Sequence, residues 1–265
     1  MKPTIRNLLG AVLGSRVAGT IARAGYHVCV GNNSDAATRH AASSRIAQSQ
    51  VAEMLLAHGI NCVLDVGANQ GQFGVSLRSS GYEGLILSFE PNATAYEALT
   101  QKLDARWHSF PVALGDVEEH RDLNLMQHSV FTSFLEPTNR STDQFREGNA
   151  VTEVATVQAR RLDSFLNNVP LPPDPKIFLK CDTQGYDLRV IRGAGTRLDN
   201  IFLLQTELSM VPIYDGMPDY LETLRFCDSL GFVPAAFFPV TNDERTLGAV
   251  EFDCLMVRRS SKSRA

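Results

Sequence analysis

An acidic residue and two glycines stand at the end of an apolar run, in the segment DVGANQG at residues 65–71. Gly67 permits a sharp turn without a Cβ clash, and Gly71 lets the next helix pack close to a ligand. The segment has no third glycine, so it differs from the dinucleotide fingerprint, and Asp65 before the turn suits a cationic amino or sulfonium centre. We therefore expect a small-molecule site here; an ordinary strand-to-helix turn is the alternative.

A second acid, Glu90, ends the next apolar run and lies 19 residues after Gly71. In Rossmann-type folds an acid about 20 residues beyond the glycine loop binds the ribose hydroxyls, because a bidentate carboxylate matches a vicinal diol. By itself Glu90 would more often be a solvated acid at a strand end. Together with the first segment, Glu90 and the adjacent Pro91 predict a nucleoside site.

The segment VALGD at residues 112–116 predicts a third part of this site. Its small, apolar strand end would form a slot for an adenine ring, with backbone amides reading the edge of the ring. Gly115 and Asp116 are therefore assigned to the nucleoside site. A plain strand-to-hairpin turn is the alternative interpretation.

Charged residues also end two later apolar runs, where an acceptor should meet the nucleoside. Lys180 and Asp182 alternate in LKCD, and burying such a pair on a central strand is costly without partners, so a catalytic role is favoured over a helix-capping one. Asp182 is predicted to orient or deprotonate an acceptor hydroxyl, and Glu207 would lie near it. A rival role for Asp182 and Glu207 is to hold Mg²⁺, although no metal-ligand set is assigned.

Apolar runs and helical periodicities alternate from about residue 62 onward, which predicts βαβ units. The expected strands are Cys62–Val66, Leu85–Phe89, Trp107–Leu114, Ile177–Cys181, Ile201–Thr206, Phe232–Phe238 and Phe252–Val257. Units of this kind favour a Rossmann-like α/β fold with a mostly parallel seven-stranded sheet, which the last two strands close as an antiparallel hairpin. Ligands of such sheets bind beyond the carboxyl ends of the strands, where the acids described above would gather.

A turn-rich break at residues 31–35 separates an N-terminal extension, residues 1–40, from the predicted α/β domain of residues 41–259. Within this domain, residues 116–157 carry short alternating segments and a polar loop, so they are predicted to form an antiparallel insertion over the site. Residues 260–265 are expected to be a solvated tail. The extension is predicted to contain a docking helix; a peripheral membrane contact and a signal peptide are the alternatives.

The charge balance argues against a nucleic-acid partner. The chain carries 25 Lys and Arg against 29 Asp and Glu, a net charge of −4, and its cations are dispersed, whereas phosphate binding needs a cationic cluster. The five cysteines show no C-x-x-C spacing, which is typical of reduced thiols. No apolar run is long enough to span a bilayer. We therefore expect a cytoplasmic protein, which in the membrane alternative lies at the inner face of the membrane.

The motifs VLDVGANQGQF, LSFEPN, VALGD, FLKCDTQGYDLRVIRGA and LLQTELS, in this order, resemble the FkbM family of methyltransferases over about Val63–Val257. The resemblance implies the class I methyltransferase fold, S-adenosylmethionine as the donor, and O-methylation of a hydroxyl on a sugar, glycolipid or polysaccharide. The residues that match the family's donor-binding pattern are Asp65, Gly67, Asn69, Gly71 and Glu90. The residues that match its later motif are Lys180, Asp182, Gly185 and Glu207.

Two other functions fit the same type of fold. A nicotinamide-dependent oxidoreductase would use the same sheet edge, but the missing third glycine and the acid at Asp65 count against it. A non-catalytic nucleoside-binding module would retain the fold, although a module without a ligand would have no need of both Asp65 and Glu90.

Overall fold

A computed structural model describes residues 36–138, 143–243 and 245–259 of the chain. The predicted N-terminal docking helix, its membrane alternative and the tail lie outside the described residues and stay predictions. The first described element is a helix, Ala36–Ala57, and a boundary between two compact units falls within it, after Ala47. In the described ranges, no helix is both long and apolar enough to cross a membrane.

Helices and strands alternate in the order that the sequence predicts. The helices are α1 (Ala36–Ala57), α2 (Gln72–Ser79), α3 (Ala93–Thr100), α4 (Leu162–Leu166), α5 (Asp187–Gly193) and α6 (Tyr220–Ser229). The strands are β1 (Cys62–Val66), β2 (Leu85–Phe89), β3 (Trp107–Phe110), β4 (Ala113–Gly115), β5 (Glu119–Met126), β6 (Val151–Arg161), β7 (Ile177–Cys181), β8 (Ile201–Ser209), β9 (Phe232–Asn242) and β10 (Ala249–Arg258). Short 3-10 helices are Ser129–Phe131, Asp143–Phe145 and Gly195–Asn200.

Seven of these strands form one sheet in the order β3-β2-β1-β7-β8-β10-β9. The first five are parallel, and β10 runs antiparallel to both β8 and β9. The prediction of a Rossmann-like, mostly parallel seven-stranded sheet with a closing antiparallel hairpin is confirmed. Because β1 pairs with β2 on one side and with β7 on the other, the strand order reverses at β1 and β7, and ligands bind outside the carboxyl ends of strands at such a switch point.

The central strands β1 and β7 are buried along their whole length. Their sequences, CVLDV and IFLKC, are mostly apolar because both faces of a parallel sheet are covered. Asp65 and Lys180 are the exceptions, and they are register partners on these two strands. Since a buried charge is tolerated only with a partner, their adjacency explains how both can lie in this core.

A second, three-stranded sheet has the order β4-β6-β5. The prediction of a single strand from Trp107 to Leu114 is wrong, because β3 ends at Phe110 and β4 pairs in parallel with β6 of the second sheet. Pro111 lies at the break, and it has no N–H to donate to a strand ladder. The pair β5 and β6 is antiparallel, as expected within residues 116–157; those domain boundaries stay a prediction.

Gly74 allows α2 to pack directly on the aromatic core. A Cβ atom at this position would lie 2.1 Å from Cζ2 of Trp107, whose side chain is 1% exposed. The indole is held in place because its Nε1 donates a 3.0 Å hydrogen bond to Oγ of Ser88. The position of α2, which follows the Gly67 turn, therefore depends on the absence of a side chain at Gly74.

We expect Gly74→Ala to lower the free energy of unfolding by about 1–3 kcal/mol, because the buried indole would have to move to make room for the methyl group. Urea unfolding measures this change. Ser79→Ala, at an exposed position of the same helix, is the control and should stay within about 0.5 kcal/mol of the wild type. Since alanine favours a helix over glycine, a Gly74→Ala protein as stable as the wild type would contradict the packing described here.

Candidate active site

A cavity of about 470 Å³ opens at the carboxyl ends of the central strands, a volume within the range of small-molecule sites. Its lining comes from the turns after β1 and β2, the start of the second sheet, and the ends of β7, β8 and β10. The lining includes residues 66–69, 89–91, 112–114 and 129–134, together with Lys180, Asp182, Thr183, Gln184, Tyr186, Glu207 and Glu251.

Gly67 brings the turns after β1 and β7 into contact. Its φ of +75° is in the left-handed region that favours glycine. A Cβ atom here would lie 1.9 Å from the backbone oxygen of Asp182. The backbone of the predicted donor turn therefore lies directly against the residue that is predicted to act on the acceptor.

Glu90 anchors the other side of this turn. Its carboxylate accepts hydrogen bonds from the backbone N–H of Asn69 (2.7 Å) and of Asn92 (2.8 Å). Burial raises the pKa of Glu90 to about 7, although these two hydrogen bonds oppose the rise. Each carboxylate oxygen keeps a further lone pair, so Glu90 can still accept hydrogen bonds from a ligand in the cavity that it lines beside Pro91.

Asp65 is fully buried behind the turn and does not line the cavity. Ser88 Oγ lies 3.4 Å from Asp65 Oδ2 as a hydrogen-bond donor, and Lys180 Nζ lies 3.4 Å from Oδ1. Burial raises the pKa of Asp65, and the Lys180 charge opposes this rise. Any effect of Asp65 on a ligand is therefore transmitted by Lys180 or by the turn.

Lys180 lies between two carboxylates, because its Nζ is also 3.2 Å from Asp182 Oδ2. The Phe73 ring centroid is 5.3 Å from the same nitrogen, within cation–π range. Burial alone would lower the pKa of Lys180, but the negative charges of Asp182 and Asp65 outweigh burial and raise it above its usual value. Lys180 is thus a fixed positive charge on the wall of the cavity.

The Gln184 side chain links the acids at the acceptor end. Its Nε2 lies 3.3 Å from Asp182 Oδ1 and 3.4 Å from Glu207 Oε2 as a hydrogen-bond donor. The Asp182 side chain is 41% exposed, so it remains open to the cavity. Asp182, Lys180 and Glu207, which the sequence predicts as catalytic residues, are therefore brought together here.

Glu251 and Asp253 are further acids next to this group, on β10, and neither is among the residues predicted from the sequence. Asp253 faces Glu207 across the β8–β10 ladder, and Glu251 faces Ser209. Burial raises the pKa of Glu251 and of Asp253 to about 7 each, and the Asp182 charge adds to the rise. Burial, followed by the charge of Glu251, raises the pKa of Glu207 well above its usual value. These two acids alternate within the otherwise apolar run VEFDCLMV, and this alternation is the sequence feature that could have identified them as site residues.

The segment Ser129–Phe134, here called the lid segment, contacts both ends of the cavity. Ser129 Oγ donates to the Asn69 side-chain oxygen at 3.2 Å, and Ser133 Oγ donates to the Gln184 backbone oxygen at 2.7 Å. The Tyr214 hydroxyl donates to the Phe131 backbone oxygen at 2.7 Å. Part of the predicted insertion thus lines the same cavity as Glu90.

Besides Asp65, three predicted donor residues lie outside the cavity lining. Gly71 packs against the core, where a Cβ atom would lie 2.6 Å from Leu99 Cδ1. Asp116 pairs with Arg189 at 3.3 Å, and Gly115 precedes it at the end of β4. The neighbouring residues 112–114 do line the cavity, so an adenine slot would be formed there without direct contact from Gly115 or Asp116.

The described residues contain no group of three or more His, Cys, Asp or Glu side chains arranged to hold a metal ion. Asp182 and Glu207 are bridged by the Gln184 amide. The alternative role of Asp182 and Glu207 as Mg²⁺ ligands stays a prediction.

The raised pKa of Glu251 makes stability depend on pH. The folded-state value is about 7 and the ordinary value is 4.5, so the folded protein holds this proton more tightly than the unfolded chain. This stabilisation is complete below about pH 4.5 and is lost as the pH rises through about 7.

Relative to the wild type, Glu251→Gln should therefore gain about 1–3 kcal/mol in unfolding free energy between about pH 5 and about pH 8. Urea unfolding at each pH measures the difference. Glu97→Gln, at an exposed position of α3, should differ from the wild type by the same small amount throughout. A pH-independent difference for Glu251→Gln would show that Glu251 ionises as freely in the folded protein as in the unfolded chain.

Comparison with known proteins places these features in a family. The model of the methyltransferase FkbM domain matches residues 65–234, more than half of the chain. No curated protein sequence matches this chain.

Several solved structures are similar in fold at low sequence identity. The magnesium protoporphyrin IX methyltransferase of Synechocystis PCC 6803, with bound S-adenosylmethionine, is 9% identical, with 97% of this chain and 99% of that chain covered and a TM-score of 0.45. The 1,6-didemethyltoxoflavin-N1-methyltransferase of Burkholderia thailandensis is 12% identical, with 92% and 90% covered and a TM-score of 0.38. The precorrin-6y C5,15-methyltransferase of Geobacter metallireducens is 10% identical, with 80% and 88% covered and a TM-score of 0.38.

The motif from Asp65 onward, the parallel sheet and the cavity at its switch point all lie within or against the matched region. The resemblance found in the sequence is confirmed by the family match. The chain belongs to the FkbM family and is an S-adenosylmethionine-dependent methyltransferase.

Proposed function

We propose that the enzyme transfers the methyl group of S-adenosylmethionine to a hydroxyl of a neutral, polyhydroxylated acceptor: a sugar, a glycolipid or a polysaccharide unit. The observation that carries this proposal is that one cavity contains both the Gly67 turn with Glu90 and the side chains of Asp182, Glu207 and Glu251. A nucleoside donor and a hydroxyl acceptor can therefore be held side by side, as methyl transfer requires.

The donor end of the cavity fits S-adenosylmethionine. The free lone pairs of Glu90 suit the two ribose hydroxyls, and residues 112–114 offer an apolar surface to the adenine ring. When bound, the donor supplies an electrophilic methyl group on a positively charged sulfur. The excess of carboxylates at the other end favours such a cation.

The charge of the cavity favours a neutral acceptor. Four of the described residues that line it are acids, and one, Lys180, is a cation. A phosphate or carboxylate on the acceptor would be repelled by the Asp182 carboxylate and by each of the other acids in its ionised form, which also argues against nucleic acid. Hydroxyl groups instead donate hydrogen bonds to carboxylates, and Phe131 and Phe134 of the lid segment add apolar lining that excludes water.

Asp182 is proposed to orient the acceptor hydroxyl. Lys180 and Gln184 hold one oxygen each of its carboxylate, at 3.2 and 3.3 Å. The side chain is thereby fixed while its remaining lone pairs face the cavity. A well-aligned pair of reactants can remove on the order of 7–11 kcal/mol from a barrier, so a fixed carboxylate at this place would contribute mainly through alignment.

The rival arrangement is a Mg²⁺ ion held by Asp182 and Glu207, which would polarise the hydroxyl directly. We also propose that the enzyme works in the cytoplasm, where the buried, unpaired Cys62, Cys181 and Cys227 would stay reduced. A lipid-linked acceptor would bring it to the inner face of the membrane.

We expect Glu90→Gln to weaken S-adenosylhomocysteine binding about tenfold, or ~1.4 kcal/mol. A glutamine would keep one acceptor oxygen but turn its NH₂ group toward a backbone N–H, so either Asn69 or Asn92 loses its partner. Calorimetric titration measures the affinity. Glu97→Gln, an exposed acid of the next helix, should bind as tightly as the wild type. Unchanged affinity in Glu90→Gln would remove Glu90 from the donor site.

The acceptor class is tested with radiolabelled S-adenosylmethionine and a panel of methyl glycosides, with glucose 6-phosphate and glucuronic acid as anionic members. Labelling of neutral glycosides only is expected. Asp182→Asn should lower turnover on them at least tenfold, because alignment is lost, while S-adenosylhomocysteine affinity stays nearly intact.

Asp122→Asn, an exposed acid on β5, is the control for Asp182→Asn and should retain turnover. Loss of turnover with EDTA and its return with Mg²⁺ would establish the metal arrangement instead. Labelling of the anionic members alone, or of none of the panel, would overturn the proposed acceptor class.

A further inference from the structure

Glu207 and Glu251 lie on adjacent antiparallel strands and both line the cavity. Their positions are diagonal neighbours on one face of the sheet, because Glu207 faces Asp253 and Glu251 faces Ser209. Glu251 is only 4% exposed, and its Oε1 is buried with no hydrogen-bond partner in the described part of the chain. An unpaired buried carboxyl oxygen is costly, so its presence in a cavity wall points to a ligand.

The groups around this pair are mostly acidic. Asp182 faces it from the end of β7, Asp253 from β10 and Asp187 from α5, and the Tyr214 hydroxyl lies after β8. Lys180 is the cation among the described charged groups of this cluster, and it is already paired with Asp65 and Asp182. Among the residues that the structure describes, neither Glu207 nor Glu251 has a cation of its own, and burial raises the pKa of both.

Asp182 has a different environment, although it lies in the same cavity. Lys180 and Gln184 engage its two oxygens, and its side chain is 41% exposed. These contacts suit a group that holds a hydroxyl in place. Glu251 has an unengaged oxygen and is shielded from water, which suits a group that takes up a proton.

We propose that Glu207 and Glu251 form a carboxyl pair that accepts the proton of the acceptor hydroxyl during methyl transfer. This inference rests on the proposed function and assigns its proton-transfer step. The hydroxyl O–H bond breaks, its proton passes to a carboxylate of the pair, and the oxygen forms a bond to the methyl carbon. The bond from that carbon to sulfur breaks, and its electron pair stays on sulfur. One negative and one positive charge are neutralised together.

The electrostatics of the pair support this role. Burial and neighbouring carboxylates raise the pKa of Glu251 to about 7 and that of Glu207 well above its usual value. A base is most effective when its pKa lies near the working pH. Removing Glu251 removes a negative neighbour from Glu207, so the pKa of the Glu207 carboxyl should fall in Glu251→Gln.

The test compares Glu251→Gln, Glu207→Gln and the control Asp122→Asn, whose exposed carboxyl on β5 does not line the cavity. Turnover is measured against pH on the glycoside that the panel identifies. We expect wild-type kcat to rise with pH through about 7. Each glutamine variant should lose at least tenfold in kcat and keep its S-adenosylhomocysteine affinity, and the remaining rise of kcat with pH in Glu251→Gln should move to lower pH. Asp122→Asn should keep kcat within about threefold at its optimum.

A second measurement does not need an acceptor. Infrared difference spectroscopy of the intact protein should show protonated glutamic acid signal that titrates near neutral pH. Part of this signal should be lost in Glu251→Gln and in Glu207→Gln and should persist in Glu90→Gln, which removes another glutamic acid with a pKa of about 7. If the panel yields no acceptor, the proposed function fails, and the pair is still judged by this titration. Unchanged kcat and pH profile in Glu251→Gln and Glu207→Gln, or an infrared signal that is the same in both variants as in the wild type, would overturn the inference.

Discussion

The ammonium of Lys180 lies between two carboxylates at the switch point of the sheet, 3.4 Å from Asp65 Oδ1 and 3.2 Å from Asp182 Oδ2. A lysine buried this deeply would tend to lose its proton, but these two negative charges raise its pKa instead. Ser88 Oγ donates a hydrogen bond to Asp65. Because Asp65 is held in this way and pairs with Lys180, the same ammonium also fixes the Asp182 carboxylate. The backbone of Asp182 is constrained by Gly67, since a side chain there would displace the Asp182 carbonyl. The acceptor end of the cavity therefore depends on one charge and one missing Cβ atom.

Within the described ranges, Lys180 is the one cation that lines the cavity, and the acids other than Asp65 and Asp182 have no counter-charge there. Glu251 and Asp253 each have a pKa of about 7, so near neutral pH this face of the sheet carries fewer charges than its acids would suggest. Coupled carboxyls of this kind titrate as a group. A cationic ligand bound beside them would favour their ionised form and an anionic ligand their protonated form. Donor binding and proton affinity are therefore linked through the same cluster.

Much of the fold and the donor half of the site could be predicted because their signals are local. Buried parallel strands appear as short apolar runs, and the carboxyl ends of such strands meet at one edge, which brings Gly67, Glu90 and Asp182 together. The break at Pro111 was missed because an apolar run continues across it, while β4 pairs with a distant strand. Asp116 likewise pairs with Arg189 and does not line the cavity. The sequence around Asp116 does not indicate that a residue as distant as Arg189 would be its partner.

Glu251 was not predicted because antiparallel register decides which cavity it faces. A shift of one residue in β10 would move Glu251 and Asp253 to the opposite face of the sheet. The observed ladder with β8 is regular here, whereas the ladder with β9 shifts between Ala249 and Glu251 and again between Glu251 and Phe252. Irregular pairing of this kind bends a strand and re-aims a side chain, often next to an active site. The regular β8 ladder thus keeps Glu251 beside Glu207, and Glu251 lines the cavity at the position where the β9 ladder is irregular.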